Sequence, residues 1–220
     1  SMQLNKVPLT KENLPWLLLM KLIMVNTRAR EEDLDNLLKE GCKDSKKCED
    51  LNPMDLFLVT FLSCDPILQH EIILKLTKCQ LAIPFTFRDS NNKLRWSKLS
   101  LKKILVAEHT ETGTVLTDAL NYKGKTVAFL KIGKTETSKS KLLNAILSDQ
   151  SHPTFYNVDC PLGTSDRLIA GGTIEASWYI PKDDQSGTFR ETILFLNLRG
   201  DAMEHEEEFS KILQVSNLVV

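Results

Sequence analysis

The chain has 220 residues, room for one or two domains with proper cores, and its 42% hydrophobic and 26% charged residues are an ordinary globular composition. A net charge of −1 excludes any global electrostatic pull toward nucleic acid or an anionic membrane. Its longest apolar runs, such as 16–20 and 194–196, fall well short of the about 20 residues that span a bilayer, so neither nucleic acid nor membrane is expected as a partner.

The N-terminus shows no signal-peptide pattern, and Ser1-Met2 reads as a cloning remnant ahead of a piece of an intracellular protein. Five cysteines (Cys42, Cys48, Cys64, Cys79, Cys160) form an odd, widely spaced set with no CxxC, and the histidines are scattered, so no zinc site is expected. Cys64 and Cys79 are expected as buried thiols in a reducing compartment, the cytoplasm or the nucleus.

The first third reads as helical. Leu14-Pro15-Trp16 opens an apolar helix to about Val25, and Leu34, Leu37 and Leu38 recur at helical spacing within 31–39. Asn52-Pro53-Met54-Asp55 has a capping residue, a proline for the first turn and an acid suited to the positive helix end, predicting a helix to about Ser63. Asp65-Pro66 starts another, to about Lys78. An extended segment follows at 81–87, then a polar turn at 89–92, and 96–106 reads as a further helix. Residues 107–125 are polar with two glycines and are expected as a linker.

Beyond the linker, Val127–Ile132 is apolar and β-prone, and 141–147 repeats apolar residues at helical spacing. Between them Gly133, Lys139 and Ser140 stand where the phosphate-binding pattern G-x-x-x-x-G-K-[ST] wants them, with Ser138 in place of the second glycine. Such a loop works because successive backbone N–H groups beside a helix N-terminus point at phosphates. Thr137, Ser138 and Lys139 are therefore candidate phosphate contacts, Lys139 as the bridge between outer phosphates and Ser140 as a Mg²⁺ ligand. If the backbone at Ser138 needs positive φ, serine costs about 1–2 kcal/mol.

A loop of weak periodicity, 149–170, precedes strands at 172–180 and 188–197 joined by a polar hairpin turn. A helix at 206–214 and the start of a buried strand at 217–220 come after them. The second strand ends in Asn197-Leu-Arg-Gly200-Asp201, where GTPases carry D-x-x-G: the aspartate holds a Mg²⁺-bound water and the glycine N–H senses the terminal phosphate. Asn197 offers a neutral amide where Mg²⁺ prefers charged oxygen, with Asp201 as a substitute carboxylate. Thr164 and Thr173 are candidates for the remaining metal-binding hydroxyl, Arg167 for an internal arginine finger, and Arg199, inside the motif where the hydrolytic region would be, for a second catalytic residue. No glutamine follows Gly200, so hydrolysis is expected to be weak or absent. The Glu204–Glu208 run is expected as a solvated helix start. The order predicts an α/β protein: a mostly helical region over 1–106 with its extended segment near 81–87, a linker over 107–125, and over 126–220 the first half of a P-loop GTPase-like domain, a mixed sheet with one antiparallel hairpin.

Leu14-Pro15-Trp16, Asn52-Pro53-Met54-Asp55, Cys79-Gln80-Leu81-Ala82-Ile83-Pro84, the S-K-S loop and Asn197-Leu-Arg-Gly-Asp201 occur in this order. The series resembles the family of very large interferon-inducible GTPases and the up-regulator of cell proliferation, which also has a caspase-recruitment-domain member. The resemblance runs from about Leu14 to Val220 and implies a GTPase-like module after a helical region, inside a longer cytoplasmic or nuclear protein. It implies GTP or GDP with Mg²⁺ as ligands, carried through Gly133, Lys139, Ser140 and Gly200, with Ser138 and Asn197 belonging to the family's own variant pattern. The guanine-reading [NT]-K-x-D motif is absent from these 220 residues. A sheet that is incomplete exposes an edge, so protein partners or self-association are expected. Two readings stay open: a guanine-nucleotide-binding module, and a pseudo-GTPase scaffold that binds proteins and no nucleotide.

Overall fold

A computed structural model describes residues 52–220 apart from 90, 98–100, 102–103, 111–112, 134–136, 149–150, 161–162, 165 and 182–186. The helices expected before residue 40, and Cys42 and Cys48, lie outside the described residues.

Two helices open the described chain, for the reasons legible in the sequence. The Asn52 side chain accepts from Met54 N at 2.9 Å, Pro53 takes the first position, and α1 runs Pro53–Ser63. It ends ahead of Asp65-Pro66, where proline disfavours helical backbone in the preceding residue. The Asp65 carboxylate caps Ile67 N and Leu68 N to start α2, Pro66–Lys78. Gln80, with φ +56, ends it in a left-handed turn: Gln80 N donates to Thr77 O and Leu81 N to Leu76 O, the pairing of a Schellman motif. Cys64 and Cys79 are half-buried rather than buried, because both sit at helix ends. Burial and then Asp65 push the Cys64 thiol up from its ordinary value.

The remaining elements are β1 (Ile83–Arg88), β2 (Leu94–Trp96), β3 (Leu105–Thr110), β4 (Gly113–Asp118), β5 (Lys125–Phe129), α3 (Lys139–Ser148), β6 (Ile174–Tyr179), β7 (Ile193–Leu198), α4 (Glu206–Val215) and β8 (Leu218–Val219). Six strands form one sheet in the order β2-β1-β6-β7-β5-β8. β1/β2, β1/β6 and β6/β7 pair antiparallel, and β5 pairs parallel with β7 and β8. The molecule is thus a mixed α/β fold, with more antiparallel pairing than the single hairpin expected.

Period-2 alternation assigns the two faces of the sheet. Leu194, Leu196 and Leu198 of β7 and Ile174 and Ala176 of β6 join Leu58, Phe61, Ile72, Ile73 and Ile212 in the larger core, against α1, α2 and α4. Ile193 and Phe195, with Phe129 and Tyr179, join Leu143 of α3 on the other face. All six residues of β7 are buried, as expected for a central strand covered on both sides.

Four expectations are corrected. The stretch 96–106 is not a helix: Trp96 closes β2, Leu105 and Val106 open β3, and among the described residues between them only Leu101 is helical. Ser97 N donates to Phe85 O while Leu101 and Ile104 fill the core, so tertiary contacts override the local pattern. Next, 107–125 holds ordered elements: β3 and β4 form a separate hairpin, registered from Leu105↔Asp118 to Thr110↔Gly113, and a 3₁₀ turn follows at Ala119–Asn121. Gly113, at φ +131, supplies the turn backbone that a side chain would strain. Strands from both sides of that stretch lie in the same sheet. Finally, 217–220 holds the expected strand, which pairs with β5, but it is exposed, not buried. Glu208 also departs from the solvated helix start: it is fully buried, and its Oε1 accepts from Arg88 Nε of β1 at 2.6 Å.

Candidate functional site

The phosphate-loop candidates lie where β5 hands over to α3. Gly133 has φ +70, the left-handed backbone that a sharp exit from a strand requires. Ser138 carries none of the anticipated strain, since among described non-glycine residues only Gln80 and Asn92 have positive φ. It acts instead as a helix cap: its O accepts from Leu142 N at 3.0 Å and its Oγ faces Lys141 N at 3.4 Å. The serine thus has a structural use where the pattern has glycine.

Two segments distant in sequence close on this loop. Ala202 N donates to Lys131 O at 2.8 Å and Gly133 N to Asp201 Oδ2 at 2.7 Å, so the turn after β7 is tied to the loop's entrance. The Lys139 ammonium donates to the carbonyls of Leu198 and Gly200, the latter at 3.0 Å. Burial, with Arg199, Lys131 and Arg167 close by and Asp201 opposing them, lowers the Lys139 pKa to about 8. Arg167 is exposed as a residue, yet desolvation and then Arg199 lower its pKa, against Glu175 and Asp55.

Beneath the loop lies a buried polar row fixed by the sheet register. Asn197 of β7 is the cross-strand partner of Glu175 of β6, so both point at the α3 face. Asn197 Nδ2 donates to Ser140 Oγ and to Glu175 Oε2, both at 3.2 Å. Arg199 Nη2 lies 2.9 Å from Glu175 Oε2 and donates to Tyr156 O at 2.8 Å. Ser140, Asn197, Glu175 and Arg199 are at most 8% exposed, so this row is shielded from solvent. Arg199 N donates to Thr173 O, and Gly172 N to Arg199 O, carrying the β6/β7 pairing past the strand ends. Gly200 (φ +93) and Gly172 (φ +78) leave room for the His205 ring, which a Cβ at either would approach to 2.9 Å.

Of the sequence candidates, the structure brings together Lys139, Ser140, Asn197, Arg199 and Gly200, and sets Thr173 beside Arg199. Gly133 joins them through Asp201. Thr137 and Thr164 are exposed. Arg199 is buried in its ion pair, not free to reach over a substrate. Sequence reasoning missed Glu175, although a lone acid in the run Ile174-Glu-Ala-Ser-Trp-Tyr179 was a readable signal. It also took Asp55 for a helix-dipole residue. Asp55 is 2% exposed, and its carboxylate accepts from Leu168 N, Ile169 N and Ala170 N at 2.7, 3.0 and 2.7 Å, clamping the loop that carries Arg167.

The proposed metal ligands fit Mg²⁺ poorly. Ser140 and Asn197 offer neutral oxygens, the one buried carboxylate beside them is held by Arg199, and among the described residues no three His, Cys, Asp or Glu side chains gather for a metal. A cavity of about 470 Å³, lined by Gln80, Leu147, Trp178 and Thr188 among others, opens at the far end of α3 from this loop. Among the described residues no helix is long and apolar enough to cross a membrane.

Comparison with known proteins matches the sequence to a family. Residues 51–220 match the model of the up-regulator of cell proliferation-like domain. The chain is similar to the up-regulator of cell proliferation of Mus musculus, 30% identical with 98% of this chain and 27% of that protein covered. It is similar to interferon-induced very large GTPase 1 of Homo sapiens, 28% identical over 86% of this chain and 8% of that protein. Caspase recruitment domain-containing protein 6 of Homo sapiens is 27% identical over 96% of this chain and 23% of its own length. The chain therefore spans under a third of each of these relatives. No solved structure matches it. The chain belongs to the family of the up-regulator of cell proliferation-like domain.

Proposed function

We propose that the loop between β5 and α3 binds the phosphates of a guanine nucleotide, in a P-loop GTPase-like module of a larger regulatory protein, with weak or no hydrolysis. One observation carries this reading. Lys139 sits half-buried at a helix N-terminus with Arg199, Lys131 and Arg167 close by, and burial first and then these cations lower its pKa to about 8. Mutually repelling cations at such an end favour a bound polyanion. The similarity to interferon-induced very large GTPase 1 supports guanine as the base. Poor hydrolysis follows from Asp201, bound to Gly133 where a water-orienting group would stand, and from the buried pairing of Arg199. The same reading assigns the protein to the cytoplasm or nucleus.

Calorimetric titration with GTP, GDP and ATP tests it. Binding with a dissociation constant of about 1 mM or tighter, weakened about tenfold or more by Lys139→Met, is expected. No heat at saturating nucleotide would sink the reading.

A second reading, a pseudo-GTPase scaffold for protein partners, is favoured by one feature: Lys139 already donates two of its three N–H groups, to Leu198 O and Gly200 O. On that reading the parent chain binds no nucleotide, and the pair Ser138→Gly with Asn197→Asp creates binding. Turnover of GTP by the parent chain excludes it.

A further inference from the structure

We propose that this site takes its ligand as a metal-free nucleoside polyphosphate, with protein cations supplying the charge that a divalent ion would otherwise bring. The inference rests on the nucleotide-binding reading above and specifies how that site works. Its first support is the donor set. Glu175 is the one carboxylate buried beside Ser140 and Asn197, and Arg199 Nη2 holds it at 2.9 Å. Turning Glu175 to a metal would strand a guanidinium that is 4% exposed, an uncompensated buried charge. The Asn197 amide is fixed by two donated hydrogen bonds, leaving the buried Oδ1 as its only unpartnered atom. One amide oxygen and one hydroxyl make a poor set for a hard cation that prefers carboxylates.

The second support is charge. Lys131, Lys139, Arg167 and Arg199 face Glu175, Asp201 and Asp55 around the same loop, an excess of one positive charge without any ion. A divalent cation placed there adds to repulsion already present, whereas a polyphosphate relieves it. The third is position: Arg199 bridges Glu175 on β6 and Tyr156 O in the 149–170 loop, so a guanidinium cross-links the segments around the phosphate end. Arg167 is held near the same place by the Asp55 clamp on the three residues after it.

The whole chain is titrated with fluorescent GDP and GTP analogues, once with excess Mg²⁺ and once with EDTA. Binding is expected to be at least as tight in EDTA as in Mg²⁺, because excess Mg²⁺ competes with the protein for the phosphates of the nucleotide. Arg167→Gln is expected to weaken binding by about tenfold equally in both buffers, because it removes charge and no metal ligand. Asn197→Asp, which supplies a second carboxylate, is expected to make binding Mg²⁺-dependent. As an independent readout, adding the protein to Mn²⁺ with GDP should release free aqueous Mn²⁺ and give no signal of protein-bound Mn²⁺. Binding more than about threefold weaker in EDTA than in Mg²⁺ for the parent chain, or a signal of protein-bound Mn²⁺, overturns this inference and leaves nucleotide binding standing. Absence of binding in both buffers overturns nucleotide binding and this inference with it.

Discussion

Lys139 is ionised at neutral pH against its surroundings, and that sets a pH dependence. Its ordinary value is 10.5 and its folded value about 8, lowered first by burial and then by Arg199, Lys131 and Arg167. Below about 8 both the folded and unfolded chains carry the proton, and folding bears the full cost of the buried charge. Between the two values the folded state releases it first, so this group's contribution makes the protein more stable as pH rises through that window. A phosphate ligand has the opposite preference, because it needs the ammonium. Nucleotide affinity should therefore fall above about pH 8, by up to about tenfold per pH unit, in titrations from neutral to alkaline buffer. Flat affinity across that range would remove Lys139 from the contact.

Glu175 and Arg199 give a second residue-scale prediction. Glu175→Gln leaves a buried guanidinium unpaired and should cost about 3–5 kcal/mol in urea unfolding. Replacing both at once, Glu175→Leu with Arg199→Met, should cost much less, since an apolar pair of similar size needs no neutralisation. If the single variant is as stable as the parent, the pair is not closed in solution.

At the scale of elements, α1 holds the 149–170 loop through one side chain. Three backbone N–H groups converge on the Asp55 carboxylate, and each hydrogen bond to a charged group contributes about 1.5–3 kcal/mol. The contributions do not add fully, so Asp55→Ala is expected to destabilise by about 3 kcal/mol and Asp55→Asn by less. Hydrogen exchange at residues 168–170 should accelerate in step with the loss. Unchanged exchange there would show that the loop holds its place without the helix. The helix itself was legible in Asn52-Pro53, where cap and first turn are local chemistry. Asp55's partners were not, because they lie more than 110 residues away.

For the whole molecule, the sheet crosses the stretch expected as a linker. β1 and β2 come before 107–125, and β1, which carries β2 on its outer edge, pairs onto β6, which comes after it. A piece beginning at Tyr122 would leave the β6 edge unpaired and uncover Ile174, Ala176, Leu196 and Leu198, which now pack against Phe61, Ile72 and Ile73. It is expected to lack near-UV circular dichroism and cooperative unfolding, both of which residues 52–220 should show as one transition. Cooperative unfolding of the shorter piece would show that the region after the hairpin folds alone. The β3/β4 hairpin went unread because Leu105, Val115 and Leu116 are exposed, so no alternation between a wet and a dry face marks it.

Sequence alone determined the elements whose causes are local: the capped helices after Asn52 and Asp65, the strand, loop and helix around Gly133–Ser140, the antiparallel pair ending in Asn197, and the family. Tertiary structure alone decided what those elements surround. Which residue faces Asn197 depends on the register of β6 against β7, and whether Glu175 is free depends on Arg199 beyond the strand end. Register and long-range pairing are set by packing across the whole sheet, which no window of neighbouring residues contains.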